Sequence, residues 1–254
     1  MSRYDFRSPR LFVDADLAAG GRVPLDRDQS NYLGNVLRLG AGAPVLAFNG
    51  RDGEWRAVVS GRKRPEELEV AEQTRPQDRL PDVTYAFAPL KHARLDYMAQ
   101  KAVEMGASRL QPVLTQHTQV HRLNTERMRA NVIEAAEQCG ILSIAEVGEP
   151  AALDRWLARR AEGPRLLVFC DEDAEIADPV AALQGASAAA AEGVDLLVGP
   201  EGGFSADERD LLLRQPRILR LALGPRIMRA DTAAVAALAL VQAVVGDWKG
   251  NVGI

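Results

Sequence analysis

The sequence predicts an α/β protein in two parts, a small β-barrel carrying one helix followed by a larger domain built on a parallel sheet. Three observations carry this reading. Up to about residue 75 the chain is made of short runs with period-2 alternation and β-branched residues, the pattern of half-buried strands. Beyond Pro81 it changes to continuous apolar runs alternating with helical stretches, the rhythm of βα units. Between them, residues 73–81 are polar and bracketed by prolines, so they read as a linker. The domains are therefore drawn as residues 1–75 and 76–254.

In the first part, strands are expected over residues 10–13, 43–48, 54–59 and 67–71. Asn49-Gly50-Arg51-Asp52-Gly53 separates two of them with residues that tolerate positive φ, so it reads as a hairpin loop. One helical segment, about 28–37, interrupts the strands. In the second part, strands are expected over residues 83–88, 110–114, 143–147, 166–170, 195–198 and 218–223, with helical segments after most of them. Leu-Leu-Val-Phe at 166–169 and Leu-Leu-Val at 196–198 lack polar alternation, as strands covered on both faces do. A helix is expected over about 92–105 with Gly106 as its C-cap, and the alanine-rich stretch 181–192 reads as a surface helix.

Composition bounds the function. The 254 residues are 47% apolar and 26% charged, enough to bury a core and unlike a disordered chain. The net charge of −4 is not that of a generic polyanion binder. Its distribution is uneven: residues 1–64 hold eleven Lys/Arg against seven Asp/Glu, a balance of +4 that leaves −8 for the rest. This permits a basic, RNA-facing N-terminal domain. The charged N-terminus lacks the apolar stretch of a secretory leader, and no run approaches the roughly 20 apolar residues of a membrane span. Cys139 and Cys170 have no CxxC spacing, which speaks against a disulfide framework or a zinc site and fits a cytoplasmic protein.

The informative stretch is Asp195-Leu-Leu-Val-Gly-Pro-Glu-Gly-Gly-Phe-Ser-Ala-Asp-Glu-Arg209, a buried strand, a glycine-rich turn and a helix start marked by a Ser205/Glu208 capping box. Ligands of open α/β sheets bind beyond the carboxyl ends of strands, and Gly199, Gly202 and Gly203 allow close main-chain approach there. The same pattern is also plain turn chemistry. Phosphate-cradle variants fail, since neither GxxxxGK[ST] nor GxGxxG is present. A second such loop is Ile218-Leu-Arg-Leu-Ala-Leu-Gly-Pro-Arg-Ile-Met-Arg-Ala-Asp-Thr-Ala233, with Asp231 expected to cap a helix running to about Val245. That helix is apolar nearly all round and must be covered by more than one partner, either within the monomer or at a subunit interface. His117 and His121 stand at i and i+4 without Glu or Cys neighbours, so no metal site is expected.

GPEGGFS, followed about twenty residues later by LGPRIMRADTA and then by a buried helix ending in Gly246-Asp247-Trp248, resembles the ribosomal RNA small subunit methyltransferase E family. Lys91-His-Ala-Arg94 with Gln100-Lys-Ala-Val-Glu-Met-Gly106, Glu134-Ala-Ala-Glu-Gln-Cys-Gly140, Val36-Leu-Arg-Leu39 and Arg10 extend the resemblance over most of the chain. It implies a SPOUT-type α/β domain with a C-terminal trefoil knot, preceded by a PUA-like β-barrel that binds RNA, in a homodimer. It also implies methyl transfer from S-adenosylmethionine to N3 of a uridine in 16S rRNA, within the 30S subunit. By that resemblance Gly199, Glu201, Gly202, Gly203, Leu223, Gly224, Ile227 and Met228 enclose the cofactor, and Arg10 and Arg38 contact RNA backbone. The N3 proton has to leave, so a carboxylate base or an arginine facing the developing anion is expected, and Arg229 and Asp231 are the candidates.

Three positions depart from the family pattern: Ala230-Asp231 stands for the usual Thr-Glu, and Ile141 for an Arg that commonly follows the EQC segment. Two other readings stay open at this point, a SPOUT ribose 2′-O-methyltransferase acting on tRNA or rRNA and a non-catalytic RNA-binding assembly module.

Overall fold

The computed structural model describes residues 8–120, 122–175 and 178–248, which divide into two compact units. Unit 1 comprises Met1–Arg79 and Ile133–Ile144, and unit 2 comprises Leu80–Val132 and Ala145–Ile254.

Unit 1 holds β1 (Arg10–Phe12), β2 (Arg22–Pro24), α1 (Arg27–Asn31), a π-helical turn (Tyr32–Val36), β3 (Pro44–Phe48), β4 (Glu54–Ser60) and β5 (Glu67–Arg75). Its five-stranded sheet runs β1-β3-β4-β5-β2, parallel only at β1/β3. The 49–53 segment is the expected hairpin between β3 and β4. Asn49 closes it by accepting the N–H groups of Arg51 and Asp52, and Gly50 and Gly53 take φ values of 82° and 83°. Leu11, Val23, Val45, Ala57, Val59 and Leu68, inward residues of the strands, form the core with Leu33 of the π-helical turn.

Three differences from the sequence reading have local causes. The short strand β2 escapes a pattern search because only Val23 of its three residues is buried. β5 runs on to Arg75 because Thr74 and Arg75 bind Glu54, so the expected linker begins as strand. The expected single helix at 28–37 is one α-turn, begun by an Asp26/Gln29 capping box, and then a π-turn. Arg38 ends it in the left-handed region at φ 57°. Ile141 packs beside Phe48, Ala136 and Leu142, an apolar contact within unit 1.

Unit 2 follows the alternation: β6 (Val83–Phe87), α2 (His92–Glu104), β7 (Arg109–Leu114), α3 (Thr125–Cys139, assigned to unit 1 from Ile133), β8 (Glu146–Val147), β9 (Ala151–Ala152), α4 (Leu153–Ala161), β10 (Leu166–Cys170), α5 (Pro179–Gly185), α6 (Ser187–Ala190), β11 (Val194–Val198), α7 (Ala206–Leu213), β12 (Ile218–Leu221) and α8 (Ala230–Val244). The sheet order is β12-β10-β11-β6-β7-β8, with β9 also beside β7, and every pair is parallel. All five residues of β6 and of β11 are buried. Leu157, Leu167, Phe169, Leu197 and Leu212 pack one face. The alanine-rich stretch is two short helices, broken at Gly185–Ala186, and the strand expected at 143–147 shrinks to two residues.

α8 requires a correction. Arg229 is its N-cap residue, without a side-chain cap bond, and Asp231 lies inside the first turn instead of capping it. Ala230, Ala233, Ala234, Ala237, Leu238 and Val241 form the buried stripe, spaced three and four apart as one helix face requires. Val235, Ala239 and Leu240 on other faces are only half-buried. No helix among the described residues is long and apolar enough to cross a membrane.

Candidate functional site

Because the strands are parallel, the turns after β12, β10, β11, β6 and β7 all leave the same edge of the sheet, the carboxyl edge where ligands of such sheets bind. The turns after β11 and β12 are separated only by β10, about 10 Å at the usual strand spacing.

Arg94, in the first turn of α2, joins two of these segments. Its Nε donates to Asp231 Oδ2 at 3.0 Å, and its Nη1 donates to Glu201 Oε1. One guanidinium thus holds the glycine-rich turn after β11 to the start of α8. Its third nitrogen, Nη2, is buried without a hydrogen-bond partner among the described residues. A buried donor left unmatched is costly, on the order of 1–3 kcal/mol, and such atoms gather where a ligand supplies the acceptor. Around it the side chains are only partly covered: Arg94 is 27% exposed, Glu201 41% and Asp231 16%. The bond from Arg94, helped by Thr232 N–H, holds the Asp231 carboxyl below the usual carboxylate range, and Arg94 is in turn held more firmly protonated.

The glycine-rich turn is shaped from within. A Cβ on Gly199 would stand 2.5 Å from the Phe204 ring, which packs edge-on against Phe169 at 5.4 Å, so this glycine makes room for Phe204. Gly203 adopts φ 69°, and its carbonyl lies 3.0 Å from His117 Nδ1. At Gly202 a Cβ would meet only the His117 side chain at 3.4 Å, a tight but yielding contact. Ser205 and Glu208 form the expected capping box, and Glu208 also accepts the N–H of Gln116 from the turn after β7. His117 thus belongs to this turn, whereas His121 lies outside the described residues.

Leu223, Gly224, Ile227 and Met228 lie in the segment between β12 and α8, where Gly224 takes φ 106° and Ile227 is 98% exposed. Among the described residues no hydrogen bond ties 223–228 to 199–203; Arg94 joins Glu201 of the first segment to Asp231, in the helix that follows the second. Arg229 is exposed beside Asp231. Between the two turns, Asp171 is buried and receives Arg209 and Arg220, each at 2.6 Å. Burial alone would raise its carboxyl, but these arginines keep it low. Burial pushes the neighbouring Cys170 thiol up to about 12, so it stays protonated and is no nucleophile.

Of the residues expected to contact RNA, Arg38 is exposed on unit 1. Arg10 is buried, its Nε on Glu54 at 3.0 Å, and Glu54 also receives Arg75 at 2.8 Å. Its observed partner is a carboxylate within the fold. Sequence reasoning missed the part played by Arg94 and His117. The signal available was position: Lys91-His-Ala-Arg94 follows directly on a buried strand, and so does His117.

Residues 77–242 match the RNA methyltransferase domain family, and residues 25–70 match the RNA methyltransferase PUA domain. A ribosomal RNA small subunit methyltransferase E from Rickettsia conorii is 28% identical over 92% of this chain and 94% of its own length. One from Synechocystis is 29% identical over 93% and 78%. Among solved structures, a methyltransferase from Legionella pneumophila in complex with S-adenosylmethionine is 28% identical with a TM-score of 0.80, covering 95% of this chain and 99% of that one. A ribosomal RNA small subunit methyltransferase E from Neisseria gonorrhoeae, bound to the same molecule, is 25% identical with a TM-score of 0.79, covering 96% and 100%.

Proposed function

The chain belongs to the RNA methyltransferase domain family, and from that premise we propose that it transfers a methyl group from S-adenosylmethionine to N3 of a uridine in the 16S rRNA of the small ribosomal subunit. The observation that carries this reading is Arg94, which ties Glu201 to Asp231 at the carboxyl edge and keeps one buried N–H for a ligand.

The residues at this edge fit such a donor. Arg94 with two carboxylates sums to −1, which complements a ligand whose sulfonium and ammonium outweigh one carboxylate. Gly203 and Gly224, in backbone conformations that disfavour side chains, keep the main chain of both turns open to close approach. Gly199, Glu201, Gly202 and Gly203 form one wall, and Leu223, Gly224, Ile227 and Met228 the other, with apolar side chains for the adenosine. S-adenosylmethionine supplies, when bound, a methyl group already activated on sulfur.

What remains for the protein is placement of the base and loss of the N3 proton. Asp231, kept ionised by Arg94, is a weak base, so it takes up that proton only as the N3–methyl bond forms and the sulfonium becomes a neutral thioether. Arg229, exposed at the N-cap of the same helix, faces negative charge developing on the uracil oxygens. Arg38 contacts RNA backbone, and Arg10 acts indirectly by holding β1 to β4. The partner is 16S rRNA within the 30S subunit. The active form is a homodimer that uses the half-buried face of α8, and the C-terminal trefoil knot of the family accompanies it.

The test is to incubate the protein with methyl-labelled donor and either undermodified 30S subunits or naked 16S rRNA, then to digest the product to nucleosides and identify them by mass spectrometry. Label in 3-methyluridine, with 30S preferred, is the expected result. Label in a ribose 2′-O-methyl nucleoside, or none on either RNA, sinks the proposal.

A further inference from the structure

Two groups of basic residues stand apart in unit 1. Arg22, Arg51, Arg56 and Arg75 each hold a carboxylate. Arg27, Arg62, Lys63 and Arg64 hold none among the described residues, are all exposed, and line one groove of about 320 Å³. Three of the four are consecutive, so they repel one another, and this in a chain of net charge −4.

Packing fixes the groove in place. Ser30 Oγ donates to the Pro65 carbonyl at 2.5 Å, and Gly34 lies so close that a Cβ there would stand 3.0 Å from the Pro65 ring. Glu66 N–H closes the base of the loop on Ser60 O at 2.9 Å, and a Cβ on Gly61 would strike the Arg64 carbonyl. The loop between β4 and β5 is therefore held before any ligand arrives, which lowers the ordering cost of binding. At one end Asp26 and Glu66 line an adjoining depression and mark where an anion is no longer welcome. The groove lining contains no aromatic side chain among the described residues, so it offers no surface for base stacking.

We propose that this groove holds the sugar–phosphate backbone of the substrate RNA and positions it without reading sequence, an inference that rests on the RNA substrate proposed above. Four cations that hold no carboxylate among the described residues, set along a glycine-floored channel, suit a row of phosphodiesters. The missing stacking platform leaves base selection to the carboxyl edge of unit 2.

The test compares the full chain with R62E/K63E/R64E and the milder R62A/K63A/R64A. Three readouts are taken: anisotropy of a labelled single-stranded 16S fragment at 50 and 200 mM salt, KM and kcat on 30S subunits, and calorimetry with S-adenosylmethionine. Every phosphate left unneutralised lowers the log–log salt slope by about 0.7, so removing three cations lowers it by about 2. The expected result is that slope change, a KM raised at least about tenfold and a kcat within about twofold, with donor affinity unchanged. If the charge-reversed chain fails to fold, the alanine variant must show the same slope change. RNA affinity and slope unchanged in the variants overturn the proposal. So does loss of 30S binding with free RNA binding intact, which assigns the groove to an acidic protein surface. A wild-type chain that methylates no RNA, while the variants still lose RNA affinity, sinks the proposed function and leaves the groove assignment standing.

Discussion

The Glu54 cluster of unit 1 and the Arg94 cluster of unit 2 are built on opposite plans. In unit 1, one carboxylate, Glu54, sits between two arginines, Arg10 and Arg75, with its side chain 3% exposed. Unit 2 uses the same plan twice, with Asp195 between Arg160 and Arg165 and Asp171 between Arg209 and Arg220. Around Arg94 the plan is inverted: one arginine sits between two carboxylates, all three partly exposed, with a buried donor left over. A carboxylate that receives two guanidinium groups is satisfied and holds strands and helices together. An arginine with two carboxylates and a spare N–H is incomplete without a further acceptor. The contrast separates clusters whose polar groups are matched within the fold from the one with an unmatched donor.

Substitutions that exchange the two behaviours break or sharpen this contrast. The largest effect is expected from Glu54→Ala, which leaves two guanidinium groups facing each other in the interior and destabilises by about 3–5 kcal/mol in urea unfolding. Donor affinity of the folded fraction should not change. Arg94→Gln should do the reverse, moving stability by less than about 1 kcal/mol because its partners are part-exposed, while lowering methyl transfer on the order of a hundredfold or more. Equal effects on stability from these two changes contradict the distinction. Gly202→Val places its branches near His117, where the added Cβ stands 3.4 Å away, so the melting temperature should hold. Crowding of the turn then weakens calorimetric donor affinity by about ten- to hundredfold.

The smallest effect concerns an acid with no arginine partner among the described residues. Glu137 accepts the Phe12 N–H, but burial, reinforced by Glu134, pushes its carboxyl up to about 7. A carboxyl raised on folding binds its proton more tightly in the native state, so its contribution favours the fold at low pH. That contribution is lost as pH rises from the ordinary glutamate range through about 7. Glu137→Gln should flatten the stability profile in that window; an unchanged slope assigns it to other groups.

The parallel sheet, the hairpin at 49–53 and the Ser205/Glu208 box were legible because each rests on local chemistry: unbroken apolar runs, turn residues, a capping pair. β2 and the π-turn were not, since a strand with one buried residue has no period and the π-turn at Tyr32–Val36 leaves no local mark in the sequence. In the site, the glycine-rich turn and Asp231 could be picked out as candidates. That Asp231 binds Arg94 instead of capping α8 depends on residues 137 positions apart, which no window contains. Arg10 misled for the complementary reason, because an arginine near a chain start looks exposed until Glu54 and Arg75 are brought to it.

We propose that the turns 199–203 and 223–228, beside the Glu201–Arg94–Asp231 bridge, make one pocket for the methyl donor. A crystal structure of this chain grown with S-adenosylmethionine tests it directly. The donor should lie between the two turns, with Arg94 Nη2 within hydrogen-bond distance of one of its acceptors. A donor bound elsewhere, or turns separated with Nη2 facing bulk water, contradicts the account.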